Sequence, residues 1–354
     1  RVDHYASPDQ DKEKNRNLVY SLNCGSGDFL RRDQARAAMF ARILVLSKAH
    51  SGVRPAIIAC LADMLNQNKI PKVPSLGSIG ASGDLIPSSY VAMEVLKQMD
   101  LEGREGLAML NGTHFMSGIS ALVLMDFAYL CQVLCDLFAV LFQCLGGVEN
   151  VFDRELHNIK AHKEEREVAG TFRELLWGSR LLRNIEEFAG LKIDELKTMR
   201  PIQDRYSLRC LPQAIGPVLH RLNDAFKIVE NELNSVSDNP VIVDGEIKHG
   251  GHFDGSHVAE AMNCLKLSIR EMAYIARAYA RNVTDTKLNH GLLPTYLVES
   301  DDGIQNGLQG VAGLSIDAVF GVLNKEAIAD SLFTMNDHEG ANQDIVSFGM
   351  HSAL

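Results

Sequence analysis

The sequence predicts an all-α fold built from long helices, and three observations support this. Apolar residues recur at helical spacing along most of the chain, including a long apolar run at 121–145. Strand-like alternation is scarce and is confined to 240–248, where Asp244-Gly245 predicts one small hairpin. Hydrophobic residues make up 46% of the chain and charged residues 23%, so a large buried core is expected. The chain has no internal repeat or low-complexity linker.

The helices are predicted in order after a charged stretch at 1–17. Asp33 is expected to cap the first helix, and residues 71–83 are expected to form a loop. Gly216 and Pro217 are expected to bend the helix that contains them. Other helices are predicted at 55–67, 84–99, 164–182, 207–234, 257–280 and 307–330. A long apolar helix is also predicted to end at 145.

Charge and cysteine content narrow the function classes. The net charge of −10 and the lack of a Lys/Arg block argue against a nucleic-acid surface. Polar residues such as Asp126 and Asp136 interrupt the run at 121–145, which favours a buried helix over a membrane span. The seven cysteines are scattered, and Cys131 and Cys135 share a helical spacing typical of core residues. We therefore expect a cytoplasmic protein with reduced thiols. The histidines show no metal-binding spacing, so no metal is expected.

The stretch from Gly77 to Pro87 carries the strongest signal. Ala81, Ser82 and Gly83 are small residues in a Gly-rich turn, and Asp84 opens an apolar helical run. In composition this is a loop in which Ser82 or Asp84 caps the next helix. Such a chain could also bend until the Gly83 nitrogen reaches the Ala81 carbonyl carbon. Ring closure with loss of the Ser82 hydroxyl would yield a methylidene-imidazolone, which is an electrophile. The N-terminus of the following helix would stabilise negative charge that builds up on this group.

The string GSIGASGDLIP at 77–87 resembles the signature of the aromatic amino acid ammonia-lyases and aminomutases, most of all the phenylalanine ammonia-lyases. Four further blocks follow in family order: EGLAMLNGT, IQDRYSLRCLPQ, ELNSVSDNP with GGHFDGSHVA, and ANQDIVSFG. The resemblance implies that Ala81-Ser82-Gly83 cyclises to 4-methylidene-imidazol-5-one, with no metal or nucleotide. It also implies a long-helix bundle of the fumarase/aspartase-like ammonia-lyase type, assembled as a homotetramer with composite active sites.

The same resemblance suggests how the chain is organised. Residues 1–145 are expected to form an N-terminal part with the cofactor loop, and 146–354 the central long-helix bundle, within one catalytic unit. The family's mobile loop with a catalytic tyrosine would precede Arg1, and its C-terminal helices would follow Leu354. Asp100-Leu101 joins two blocks that relatives separate by a longer insert.

Gln203, Tyr206 and Arg209 form one group of candidate site residues. Residues three apart share a helical face, so Tyr206 and Arg209 can point together. An isolated Arg on a helix is usually only a solvated charge. The resemblance implies instead that Arg209 forks onto the substrate carboxylate, which lysine cannot do. It places Tyr206, as a catalytic residue, and Gln203 in the same site.

Further candidates lie in the other blocks. Asn111 could merely cap a helix and Phe253 could be plain core, but the resemblance places both beside the cofactor. Asn239 is interpreted as a turn residue with no role in the site. A Glu and two amides that suit an amine and a carboxylate occur in the last block: Glu339, Asn342 and Gln343.

Ser21 and Leu22 occupy the position of the family's ring-binding pair. Histidine and tyrosine lyases resemble each other in carrying Ser-His there, and phenylalanine lyases carry Phe-Leu in the plant-like pattern. Leu22 offers no partner to an imidazole or a phenol, and Leu107 is expected to add an apolar wall. The substrate is therefore expected to be phenylalanine or a ring-substituted phenylalanine. Alternatively, Ser21 and Leu22 are packing residues outside the pocket.

Four functions remain open at this stage. The leading one is elimination of ammonia from an aromatic L-amino acid to give an arylacrylate. An aminomutase that makes a β-amino acid would use the same cofactor. A catalytically inactive helical oligomerisation subunit would need none of Ser82, Asn111 or Arg209, and a cofactor-free lyase would not need the Ala-Ser-Gly triplet.

Overall fold

A computed structural model of the chain describes residues 8–189, 191–192, 203–298, 315–331 and 346–354. Helices dominate these residues. They are α1 (Pro8–Ser21), α2 (Arg32–Ser47), α3 (Pro55–Asn66), α4 (Leu85–Leu96), α5 (Glu105–Leu110), α6 (His114–Cys144), α7 (Arg154–Asn158), α8 (Lys163–Leu175), α9 (Tyr206–Arg209), α10 (Leu211–Leu233), α11 (Ser256–Thr284), α12 (Ser315–Ser331) and α13 (Gly349–Ala353).

Two short antiparallel pairs accompany the helices. Strands β3 (Val241–Val243) and β4 (Glu246–Lys248) form the predicted hairpin around Asp244. The pair of β1 (Ser26–Phe29) with β2 (Pro74–Leu76) was not predicted. Each of its strands is too short to show an alternating pattern, and they pair only because the fold brings distant segments together.

Local chemistry corrects three of the predicted helix limits. The helix expected at 164–182 ends at Leu175, where a turn through Trp177 begins. The helix expected at 207–234 is interrupted at Cys210, and Pro212 then lies in the first turn of α10, where no N–H is needed. Asp33 lies inside the first turn of α2 and Arg31 is the cap residue, because the Gln34 side chain accepts a hydrogen bond from the Arg31 N–H.

The chain divides into two compact units. The first unit comprises Arg1–Met125, Asp224–Asn263 and Phe333–Leu354, and the second comprises Asp126–Asn223 and Cys264–Leu332. In the first unit, α1 packs on α4 and α5, so the N-terminal helix supports the helix that follows the Gly-rich loop and the helix that precedes Asn111. In the second unit, Phe138 stacks on Tyr279 and both are buried.

Helix α6 is the longest apolar element. Among the described residues it is the one helix long and apolar enough to cross a membrane, by length and composition alone. Phe115 and Met116 are fully buried in the first unit. In the second unit the same helix exposes an apolar face at four positions spaced by three or four residues: Tyr129 (71%), Val133 (42%), Leu137 (46%) and Val140 (53%).

Candidate active site

The Ala81-Ser82-Gly83 segment forms a tight turn just before α4. Ser82 has a φ of +59° and Gly83 a φ of +84°, both in the left-handed region. A non-glycine residue such as Ser82 adopts that region rarely and at a cost of about 1–3 kcal/mol, so its surroundings must hold it there. Ala81 is 7% exposed and Gly83 is buried, whereas Ser82 between them is half-buried.

The backbone of Gly83 lies directly against that of Gly112, in the loop between α5 and α6. The two glycines form a parallel β-bridge, and the Asp84 N–H donates to the Gly112 carbonyl at 2.9 Å. A Cβ placed on Gly83 would lie 2.3 Å from the carbonyl oxygen of Gly112 and 2.4 Å from its nitrogen. Both positions therefore require glycine for close approach as well as for positive φ.

Asn111 connects this contact to the Ser82 turn. Its Nδ2 donates to the Ser82 carbonyl oxygen at 2.8 Å, and its Oδ1 accepts from the Asn239 N–H at 2.8 Å. Asn111 is only 2% exposed. It follows α5 as the C-terminal cap residue, with an extended backbone. The Asn111 side-chain amide therefore bonds the Ser82 turn at one end and Asn239 at the other.

The segment Ser237-Asp238-Asn239 is the part of this site that sequence reasoning missed. The Thr113 N–H donates to Ser237 Oγ at 3.3 Å, and Asn239 Oδ1 accepts from the Gly250 N–H at 2.7 Å. Asp238 forms an ion pair with Arg42 at 2.8 Å. The signal that could have found these residues is the block SDNP itself, in which three consecutive polar residues precede a proline.

Asp84 is fully buried at the start of α4, yet its side chain does not cap that helix. Its Oδ1 accepts from the Ser78 hydroxyl at 2.7 Å, and its Oδ2 accepts from the Met116 N–H at 2.8 Å, in the first turn of α6. Burial raises the pKa of Asp84 to about 6, while these hydrogen bonds act in the opposite direction. The carboxyl thereby joins the loop to the N-terminus of a second helix.

A second carboxyl lies in the same region. The hydroxyl of Thr113 donates a hydrogen bond to Glu232 Oε1, and burial raises the pKa of Glu232. Its charge contributes to the raised pKa of Asp84. His114, which follows Thr113, is 3% exposed, and its Nε2 lies 2.8 Å from Ser88 Oγ. Burial holds its pKa well below the usual value, so His114 is neutral at pH 7.

The residues at this turn fit a methylidene-imidazolone. The positive φ at Ser82 bends the chain sharply, and the Asn111 amide holds the Ser82 carbonyl oxygen, which would belong to the ring. Small residues on both sides of Ser82 leave no side chain in the way of ring closure. Over the described parts of the chain, no group of three or more His, Cys, Asp or Glu residues is placed to hold a metal ion.

Three of the proposed substrate-binding residues lie on or next to α1 and α5, and the fourth lies before α11. Leu22 follows α1, and its carbonyl oxygen accepts from the Ser89 hydroxyl of α4 at 3.1 Å. Leu107 is half-buried on α5. Ser21 is exposed, and its hydroxyl donates to the Leu18 carbonyl within α1. Phe253 is half-buried in the turn before α11. The roles of these four residues in substrate binding stay predictions.

Gln203, Tyr206 and Arg209 lie in the second unit, around the single helical turn α9. Arg209 Nη1 donates to Gln203 Oε1 at 2.8 Å, so the structure brings two of the three together. Tyr206 is 76% exposed. Two contacts hold α9 in the second unit: Leu208 is buried, and Asn282 Nδ2 of α11 donates to Ser207 Oγ at 2.9 Å. Glu339, Asn342 and Gln343 lie outside the described residues.

Comparison with known proteins identifies the family. The family model described as "Aromatic amino acid lyase" matches residues 1–354. A tyrosine 2,3-aminomutase of Chondromyces crocatus is 33% identical over 97% of this chain and 70% of its own length. A tyrosine ammonia-lyase of Cupriavidus metallidurans is 32% identical over 95% and 69%. The solved structure of a Pantoea agglomerans phenylalanine aminomutase has a TM-score of 0.90 and 29% identity, over 99% of this chain and 73% of that one. The chain thus belongs to the aromatic amino acid lyase family.

Proposed function

We propose that this protein eliminates ammonia from an aromatic L-amino acid, preferably phenylalanine or a ring-substituted phenylalanine, to give an arylacrylate. The observation that carries the proposal is the Ser82 turn, which is bent into positive φ and held at its carbonyl by Asn111. Members of the family with named activities act on such substrates, as their names state. An inactive subunit would have no need of this strained turn or of the buried Asn111 side chain that bonds to it.

A ring formed from Ala81-Ser82-Gly83 would supply an electrophilic carbon for the substrate amine. The residues around this loop hold it in place. Asn111 fixes the Ser82 carbonyl oxygen, and the contact of Gly83 with Gly112 keeps the loop from relaxing. A rigid loop matters because catalysis depends on reacting groups held within fractions of an ångström.

Arg209 is the group for the substrate carboxylate. A guanidinium presents two parallel N–H groups to a carboxylate, and Gln203 already holds one side of the Arg209 fork in place. The exposure of Tyr206 leaves its hydroxyl available to a substrate or to another chain. The assignment of both residues rests on the family resemblance and on this local geometry.

The names of the relatives favour one alternative, a 2,3-aminomutase. Both the Chondromyces relative and the Pantoea structure are named as aminomutases. An aminomutase would return the ammonia to the β-carbon and release a β-amino acid. Chromatography of the products decides between the two, because a lyase accumulates free ammonia and arylacrylate in equal amounts whereas a mutase releases little of either.

We propose that the exposed apolar face of α6 packs against further copies of this chain in a homotetramer. Tyr129, Val133 and Leu137 lie on one side of the helix, a stripe typical of helix–helix packing. Sedimentation of wild type and Val133→Glu tests this. We expect the glutamate to break up a tetramer, while Thr171→Glu, on the exposed part of α8, should leave it intact. A monomeric wild type with full activity would refute the proposal.

Mass spectrometry of the intact protein tests the cofactor. Closing the ring and removing the Ser82 hydroxyl releases two waters, so the active chain should weigh two waters less than its sequence. Ser82→Ala should restore the mass of an uncyclised chain and abolish turnover. An active protein with the full mass of its sequence would show that the proposed chemistry is wrong.

A further inference from the structure

Arg42 and Asp238 form an ion pair inside the first unit that none of the assigned site residues explains. Arg42 Nη1 lies 2.8 Å from Asp238 Oδ1, and each residue is 1% exposed. They are 196 positions apart in the chain. Burying two charges has a large desolvation cost, and such a pair is weak grounds for stability by itself. What the pair holds in place is therefore the question.

On one side, Asp238 is flanked by the two residues that contact the Asn111-Gly112-Thr113 loop. Ser237 Oγ accepts from the Thr113 N–H at 3.3 Å, and the Asn239 N–H donates to Asn111 Oδ1 at 2.8 Å. Fixing Asp238 thus fixes the positions of both neighbours, because only one peptide bond separates each from it. The Arg42 pair is the one ion pair seen for Asp238 among the described residues.

On the other side, Arg42 reaches the same loop directly. A Cβ placed on Gly112 would lie 3.1 Å from Arg42 Nη1 and 2.8 Å from Ser237 Oγ. The guanidinium and the Ser237 hydroxyl therefore pack on the Gly112 backbone, whose other contact is Gly83. The loop is clamped between the cofactor-forming turn and the ion pair.

The orientation of the Asn111 amide depends on this clamp. An amide has an acceptor end and a donor end, and here the acceptor faces Asn239 N–H while the donor faces the Ser82 carbonyl. A flipped amide would place two donors together at Asn239 and two acceptors together at Ser82. If the 237–239 turn shifted, nothing in this network would hold the Asn111 donor on Ser82.

We propose that Arg42 and Asp238 are positioning residues that orient Asn111 toward the Ser82 carbonyl through the 237–239 turn. The functional part of this proposal rests on the proposed use of Ala81-Ser82-Gly83 as the electrophile. Arg42 and Asp238 act on the Ser82 carbonyl only through Asn111, so their loss should matter little once Asn111 is absent.

A double-mutant cycle tests that dependence. Asp238→Asn keeps the shape of the side chain and removes its charge, and it should lower kcat about 10- to 100-fold through misplacement of the Asn111 amide. In an Asn111→Ala background the same change should lower kcat by less than about 3-fold, because the residue it positions is gone. An equal loss in both backgrounds would overturn the proposal.

Two further variants separate positioning from general destabilisation. Arg42→Lys retains the charge with a single nitrogen and should show the same non-additivity with Asn111→Ala, so it serves if Asp238→Asn does not fold. Glu165→Gln, a 5% exposed carboxylate of the second unit that accepts from Gln213 at 2.9 Å, is the control for the loss of a buried charge. Its kcat should stay near that of wild type at equal distance below the melting temperature.

Hydrogen exchange at the backbone gives a readout that needs no turnover. The Thr113 and Asn239 amides should exchange at least about 10-fold faster in Asp238→Asn than in wild type, and Glu165→Gln should leave them unchanged. Unchanged exchange in Asp238→Asn would overturn the positioning role even in an inactive protein. A wild-type chain that keeps the full mass of its sequence would instead refute the proposed function, and the exchange rates would still decide whether the pair orders the Asn111 loop.

Discussion

The two regions that carry the candidate site residues are built in opposite ways. Around Ser82, in the first unit, the polar groups of Asn111 and Asp84 are buried and bonded to distant parts of the same unit. Around Arg209, in the second unit, the one side-chain hydrogen bond seen for the guanidinium among the described residues is to its near neighbour Gln203, and Tyr206 is 76% exposed. The polar side chains of the first region are bonded within one chain, whereas the second region has an exposed tyrosine and an exposed arginine.

This contrast has a physical reason. A turn with a non-glycine residue at positive φ persists only if its surroundings over-determine it, so the Ser82 region must be rigid before any substrate arrives. A cation that binds a carboxylate needs an accessible fork, so the role proposed for Arg209 requires that it be held from one side only. The first region is expected to be sensitive to shape, and the second to the identity of one charged group.

The largest expected effect comes from filling the space between the two loop backbones. Gly83→Ala should abolish ring closure and lower activity by more than about 100-fold, because a Cβ would lie 2.3 Å from the Gly112 carbonyl oxygen. Gly245→Ala is the matched control, since Gly245 has nearly the same φ (+80°) with nothing within 4 Å of its Cβ. The intact mass and the rate of arylacrylate formation measure the result. Equal losses in both variants would show that backbone strain, and not the contact, is what matters.

Arg209→Lys should have the next largest effect. Lysine keeps the charge but cannot form two parallel hydrogen bonds, so the variant should lose about 2–5 kcal/mol in kcat/KM while remaining folded. Arg205→Lys is the control from the same segment, because Arg205 is exposed and its side chain donates, within the part of the chain that the structure describes, to the Leu288 carbonyl. Steady-state kinetics of both variants measure the difference. Near-normal catalytic efficiency of Arg209→Lys would remove this residue from the site.

How far the sequence could predict this contrast depended on the range of the contacts. The helices and the hairpin at Asp244 follow from local periodicity and turn chemistry, and the Gly-rich loop is evident in the sequence itself. Asn239 was interpreted as a turn residue because no local sequence pattern encodes its real contact. Its N–H donates to Asn111, which lies 128 positions away in the chain. A side-chain cap by Asp84, one of the two expected for α4, fails for the same reason, since Asp84 Oδ2 accepts from the Met116 N–H, 32 positions along the chain.

The buried Asp84 predicts a pH dependence that belongs to the first region alone. Its pKa rises from 3.8 to about 6 on folding, so the folded chain binds more protons than the unfolded chain between these values. The stabilising contribution of the protonated carboxyl is therefore complete below about pH 4 and is lost as the pH rises through about 6, by about 3 kcal/mol in total. Asp84→Asn should flatten the pH dependence of the unfolding free energy by that amount in denaturant titrations.

Asp33 provides the comparison for this experiment. It is exposed, and its hydrogen bond with Arg31 lowers its pKa, so Asp33→Asn should not remove the loss of stability between pH 4 and 6. If Asp84→Asn leaves the curve of the wild type unchanged, the Asp84 carboxyl is not buried as described.

The smallest expected effect concerns the ring of the substrate. Leu22 lies beside α4, where its carbonyl oxygen is fixed by Ser89, and its side chain offers no hydrogen-bond partner to a phenol or an imidazole. Burying such a polar group without a partner costs about 1–3 kcal/mol, so phenylalanine should be used about 5- to 150-fold more efficiently than tyrosine or histidine. Leu22→His would supply a partner and should raise kcat/KM for tyrosine while lowering it for phenylalanine.

Ser21→Ala is the control, because it changes an exposed hydroxyl that bonds within α1. It should not shift the preference toward tyrosine or histidine. Kinetics on phenylalanine, tyrosine, histidine and methoxy-phenylalanines measure this order. A wild-type preference for tyrosine or histidine would mean that Leu22 lies outside the ring pocket, and that the polar partner must be sought on another element of the first unit or on a neighbouring chain.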